Sequence, residues 1–132
     1  MSTFRRLLKS LFARRKLTEH PTALVGEWTV VDISVSHPFV WYVIHLRPDG
    51  SFEWTAQVAL EDSAHLDVSG AGRWRASDDL LQYSSGDHEG SCRYSLEHEQ
   101  LMLDRLPATK IGPGVRCVLL RVEEPSRSGV VT

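Results

Sequence analysis

The segment Ser51-Phe52-Glu53-Trp54-Thr55-Ala56-Gln57-Val58-Ala59-Leu60 alternates between apolar and polar residues, as a β-strand does when one face lies on a core. Phe52, Trp54, Ala56, Val58 and Leu60 fall on one face, with Glu53, Thr55 and Gln57 on the other. Immediately before it, Pro48-Asp49-Gly50 has the chemistry of a tight turn. Proline presets φ, the aspartate side chain can cap nearby backbone, and glycine accepts a positive φ. Strand and turn together read as half of a hairpin.

The same pattern extends in both directions. Eight period-two stretches are expected, at 24–35, 39–47, 51–60, 64–76, 79–85, 90–98, 100–106 and 114–123. Turn-forming clusters separate them: Ser36-His37-Pro38, Pro48-Asp49-Gly50, Glu61-Asp62-Ser63, Ser77-Asp78-Asp79, Gly86 to Glu89, a tight turn near Glu99, and Pro107 to Pro113. Connections this short make sequence neighbours into antiparallel hairpins, and no helical pattern interrupts the run. The fold class is therefore all-β: an eight-stranded antiparallel up-and-down barrel over residues 21–124, closed so that no sheet edge is left exposed. Residues 125–132 read as a loose tail.

Alternation also assigns the faces. The inner set comprises Tyr42, Ile44 and Leu46; the Phe52 series; Leu66, Val68 and Trp74; Cys92, Tyr94 and Leu96; Leu101 and Leu103; and Val115, Cys117 and Leu119. Gly70 and Gly72 are expected to let the fourth strand bend. Three strands are apolar on both faces, through Val31, Ile33 and Val35 in the first, Trp41 and Val43 in the second, and Val118, Leu120 and Val122 in the eighth. In a closed barrel these strands are adjacent, so their outer sides form one apolar patch that requires a cover.

A candidate cover precedes the barrel. Residues 1–20 form a basic segment, with a helix predicted over 3–17 whose stripe is Phe4, Leu7, Leu8, Leu11 and Phe12. Residues 1–18 carry six basic residues and no acid, whereas the remainder carries nine basic against seventeen acidic residues. That asymmetry suits docking of Phe4, Leu7, Leu8 and Leu11 around Trp41, on the same barrel, on a second copy or on a protein partner. It also suits an anionic membrane surface, and an acid-free basic leader resembles an organellar transit peptide. Nucleic acid is not expected as a partner, because the segment offers no aromatic platform for bases.

No apolar window is long enough to cross a bilayer, and charges interrupt the N-terminal apolar residues too often for a secretory signal. Cys92 and Cys117 are too few for a disulfide framework and read as buried thiols. The expected location is the cytoplasm, with peripheral membrane contact through the basic segment.

At the head of the first strand, Leu24-Val25-Gly26-Glu27-Trp28 resembles the Gly-x-Trp signature of lipocalin-like, or calycin, barrels. The Leu46-to-Phe52 hairpin and Gly72-Arg73-Trp74 are similar to small bacterial members of that group. The resemblance covers roughly residues 24–123. It implies that Trp28 lies across the closed end of the barrel with Arg121 stacked on it, Gly26 beside them, and a small ligand held inside.

No catalytic signature appears. His45 and His88 lack a second histidine at metal-ligand spacing, so neither a metal nor a cofactor is expected. Ser84, Ser85 and Ser91 lie near His88 in sequence but lack a nucleophile elbow, and Gly112-Pro113-Gly114 lacks the lysine and helix of a phosphate loop. The inner aromatics Tyr42, Phe52, Trp54, Tyr83 and Tyr94 suit a pocket for a neutral, mostly apolar ligand, or equally a solid core filled by the barrel's own side chains. A non-enzymatic binding protein is the expected function, with an interaction or inhibitor module acting through the barrel surface and the N-terminal segment as the alternative.

Overall fold

The structure is a computed structural model and describes residues 20–122. The predicted N-terminal helix, with Phe4, Leu7, Leu8 and Leu11, lies outside the described residues, as does the tail at 125–132. A single 3-10 turn, Thr22–Leu24, leads into eight strands: β1 (Gly26–Ile33), β2 (Phe39–Leu46), β3 (Ser51–Ala59), β4 (His65–Ala76), β5 (Leu80–Ser85), β6 (His88–Glu97), β7 (Gln100–Leu103) and β8 (Cys117–Arg121). Each pairs antiparallel with its sequence neighbour, and β8 returns to β1 to close the barrel.

The turns follow from local chemistry. In the β2–β3 hairpin, Asp49 Oδ1 accepts from the Ser51 N–H at 2.9 Å and from its hydroxyl at 2.7 Å, which holds the Asp49 carboxyl below its ordinary pKa. Gly50 completes that turn at φ +90°, a conformation few side chains tolerate. His98 and Glu99, both at positive φ, form the two-residue β6–β7 turn, matching the right-handed twist of the flanking strands.

β1 departs from simple alternation. Its register with β8 shifts between Val30 and Asp32, so a bulge at Val31 reverses the phase of the strand. The sequence pattern put Ile33 on the outer face, but it turns inward opposite Cys117 and is 8% exposed. Val31 and Val35 remain outside. β2 shifts similarly between Phe39 and Trp41, which sends Phe39 toward the core and leaves Val40 and Trp41 exposed. Leu60 and Leu66, expected inside, are exposed instead, because the β3–β4 hairpin runs past the packed part of the barrel.

The two barrel ends are closed differently. At one end Leu24 and Trp28 are fully buried, and the Trp28 indole N–H donates to the Leu24 carbonyl at 3.0 Å. At the other, the long β7–β8 connection folds inward, burying Leu106 and Pro107 completely. Tyr42 donates its hydroxyl proton to the Pro107 carbonyl at 2.8 Å.

Between the ends the barrel is solid. Trp28, Tyr42, Ile44, Leu46, Phe52, Ala56, Trp74, Leu81, Cys92, Leu101, Leu103, Leu106, Cys117 and Leu119 each keep 3% or less of their accessible surface. Side chains stripped of surface to this degree leave no ligand-sized space between them. Small eight-stranded barrels can be filled by their own side chains in this way.

Candidate functional site

A cleft opens at the surface between β1 and β2. Their pairing runs from Gly26–Leu46 to Thr29–Val43 and stops there, although both strands continue. Beyond that point they part, and a cleft of about 180 Å³ lies between Val30, Val31, Asp32 and Ile33 on one side and His37, Phe39, Val40, Trp41 and Tyr42 on the other. Most of its lining residues are aliphatic or aromatic, but polar atoms make up the larger part of the surface they expose. Asp32 is drawn aside by Arg116, with the closest atoms 3.9 Å apart.

An aromatic series leads inward from this cleft. Phe39 meets Tyr42 edge-on, with centroids 5.9 Å apart, and Tyr42 stacks on Trp54 at 5.7 Å. Offset and edge-on contacts of this kind suit the ring quadrupoles and fix ring orientation. The Trp54 Nε1–H is buried and has no hydrogen-bond partner. Gly70 on β4 lies directly beneath it, and a β-carbon there would collide with the indole nitrogen. That contact gives Gly70 a steric role, where the sequence suggested bending.

The five aromatics proposed as ligand-lining residues divide into two groups. Tyr42, Phe52 and Tyr83 are buried core, with Phe52 and Tyr83 edge-to-face at 6.4 Å. Trp54 and Tyr94 are half-buried. The Tyr94 hydroxyl donates to the Ser77 carbonyl at 2.8 Å and the Tyr42 hydroxyl to Pro107, so both are already engaged. Burial raises both phenol pKa values, that of Tyr42 strongly and that of Tyr94 with help from Asp78 and Asp79. Sequence reasoning missed Val30, Ile33, Phe39 and Val40 as cleft residues. The missing signal is the pair of bulges, which alternation alone cannot show.

At the closed end, the Arg121 guanidinium carbon sits 4.3 Å from the Trp28 ring centroid. The same guanidinium donates to the Val25 carbonyl at 2.6 Å and to the Ala23 carbonyl at 2.7 Å. Gly26 passes beneath it at φ +138°, where a β-carbon would approach Arg121 Nη1 to 2.5 Å. One arginine thus seals the indole and ties down the 3-10 turn.

No protein-family model matches this chain, and no curated protein matches it. Among solved structures, a lipocalin-like protein from Bacteroides uniformis ATCC 8492 is similar, with a TM-score of 0.50 at 11% identity, over 76% of this chain and 99% of that one. The chain has the lipocalin-like fold.

Within this lipocalin-like barrel the thiols are sequestered. Burial, with Asp104 nearby, pushes Cys92 up to about 12 and Cys117 up to about 11, so both stay protonated and poorly nucleophilic at neutral pH. No helix among the described residues is long and apolar enough to cross a membrane. The barrel therefore offers contact with Val30, Val40, Phe39 and Trp41 in the cleft, backed by the packed Tyr42–Trp54 pair.

Proposed function

We propose that this lipocalin-like barrel is a non-catalytic binding protein for a small, neutral, mostly apolar ligand that enters between β1 and β2. The parting of those strands beyond Thr29–Val43 carries the reading, because it opens a cleft where Val30, Ile33, Phe39 and Val40 lie together with polar atoms of the same strands. A cavity of about 150 Å³ lined by apolar side chains takes benzene, so a cleft of about 180 Å³ suits a single ring or the end of an elongated chain. A charged group would be poorly served there, since desolvation of an unpaired charge outweighs the contact it gains.

Toluene tests this reading. Titration should shift the methyl signals of Val30, Ile33 and Val40 and alter Trp41 emission, while Val40→Phe, which narrows the cleft from its exposed side, should abolish both effects. A probe that perturbs Trp54 and Tyr94 but not Trp41 would move the site to the inner aromatics. Absence of any saturable shift would remove the ligand-binding reading.

A second reading rests on a different observation. Val31, Val40, Trp41, Leu120 and Val122 remain exposed on adjacent strands, with Trp41 at 40%. The basic N-terminal stripe of Phe4, Leu7, Leu8 and Leu11 is complementary to that patch in polarity and to the acidic remainder of the chain in charge. Leu7→Asp combined with Leu11→Asp should then lower the unfolding midpoint or change the oligomeric mass without lipid present. Loss of anionic-vesicle binding alone, with stability and mass unchanged, would assign the segment to a membrane surface.

A further inference from the structure

The outer face of β4, β5 and β6 carries a second depression, of about 380 Å³, whose residues do not overlap the cleft. Its lining includes Arg73, Arg75, Gln82, Ser84 and Glu89. Strand register explains the arrangement. Arg73 pairs with Ser84 and Ser84 with Glu89, so one cross-strand row sets a cation and an anion on either side of a small hydroxyl side chain. Two strand spacings separate the α-carbons of Arg73 and Glu89 by roughly 9–10 Å. Arg75 pairs with Gln82 in the adjacent row and donates from Nε to Gln82 Oε1 at 3.1 Å, which steadies its guanidinium. The Arg73 guanidinium reaches along the groove toward the β2–β3 turn, where Nη2 donates to the Asp49 carbonyl at 3.1 Å, beside Gly50 and His20 at the groove's end.

The charges of this groove form no direct ion pair, although Arg73 lies near enough to Asp49 to help lower its carboxyl. Elsewhere Arg47, Arg93, Arg116 and Arg121 each meet a carboxylate, at 3.1, 3.2, 3.9 and 3.7 Å. Among the described residues, Arg73, Arg75 and Glu89 form no such pair, although all three line one depression. Opposite charges held apart across a concave floor are complementary to a molecule that carries both signs at its two ends.

We propose that this groove binds a small zwitterion, with its acid group between Arg73 and Arg75 and its ammonium group on Glu89. The Ser84 hydroxyl lies beneath the middle of the molecule and can donate to the acid group or accept from the ammonium. Arginine suits the acid end, since its planar fork can donate two parallel hydrogen bonds to one carboxylate. A ligand with acid groups alone would meet repulsion from Glu89.

The test compares γ-aminobutyrate, butyrate and butylamine on the full chain, followed through the amide signals of Ser84 and Gly90 and the Arg75 Nε–H signal. The zwitterion should saturate with a Kd below roughly 1 mM, while the two singly charged probes should bind about tenfold more weakly or not at all. Arg73→Gln with Arg75→Gln should remove zwitterion binding, and Glu89→Gln should weaken it to the level of butyrate. These side chains are exposed, so signals elsewhere in the barrel should not move. Equal binding of butyrate and γ-aminobutyrate would overturn the assignment to a zwitterion, and the absence of saturation with all three probes would overturn the site itself.

Discussion

Replacing Trp28 with alanine is expected to destabilise the barrel by roughly 3–5 kcal/mol, as large aromatic truncations in a core do. Trp28 has no exposed surface and stands in the ladder between Ile44 of β2 and Arg121 of β8, at the closing seam. Lost burial dominates: an aromatic side chain removes about 150–250 Å² from water, worth roughly 4–6 kcal/mol at about 25 cal/mol per Å². The Arg121 contact adds less, about 0.5–2 kcal/mol for a cation over an aromatic face. Loss of the indole N–H also strands the Leu24 carbonyl, which accepts from it at 3.0 Å in a fully buried setting. Urea titration at unchanged slope measures the sum. Trp28→Phe separates the parts, because it keeps most of the apolar volume and loses only the donor and the larger ring. A loss below about 1 kcal/mol for Trp28→Ala would place the side chain outside the core.

The strand count, the antiparallel order and closure between β8 and β1 were legible from period-two alternation and turn chemistry, because both act locally. Phe52 and Ala56 show this well: they alternate with polar neighbours and are buried as the pattern requires. What was illegible depended on register. Ile33 looked outward by counting from Trp28, and one inserted residue at Val31 reversed it. The cleft has the same origin, since the end of β1–β2 pairing at Thr29–Val43 leaves no mark in either strand's composition. The alternation carries the seventh strand to Leu106, but β7 ends at Leu103 and the chain turns inward. The groove of Arg73, Ser84 and Glu89 was hidden for a related reason: the three residues are distant in sequence and join only through two hairpin registers.

Leu106→Ala should cost about 2–5 kcal/mol and at the same time create an apolar cavity inside the barrel. Leu106 is fully buried, and the loop that carries it is fixed by backbone contacts that alanine would keep. Its N–H donates to the Ile111 carbonyl at 2.9 Å, and its carbonyl accepts from the Thr109 N–H at 3.2 Å and the Thr109 hydroxyl at 2.7 Å. The next residue, Pro107, is held by the Tyr42 hydroxyl at 2.8 Å. With those bonds intact the loop cannot simply fall into the space left by the side chain, and an apolar cavity of this kind stays dry. Toluene should therefore raise the unfolding temperature of Leu106→Ala by mass action. Val40→Phe, placed in the same background, separates this new site from the β1–β2 cleft: it should block the cleft and leave the cavity response in place. If Leu106→Ala loses less than about 1 kcal/mol, the β7–β8 connection is not a plug. If it loses the expected amount but toluene gives no added stability, the loop has collapsed into the vacated space and the barrel is closed by a pliable segment.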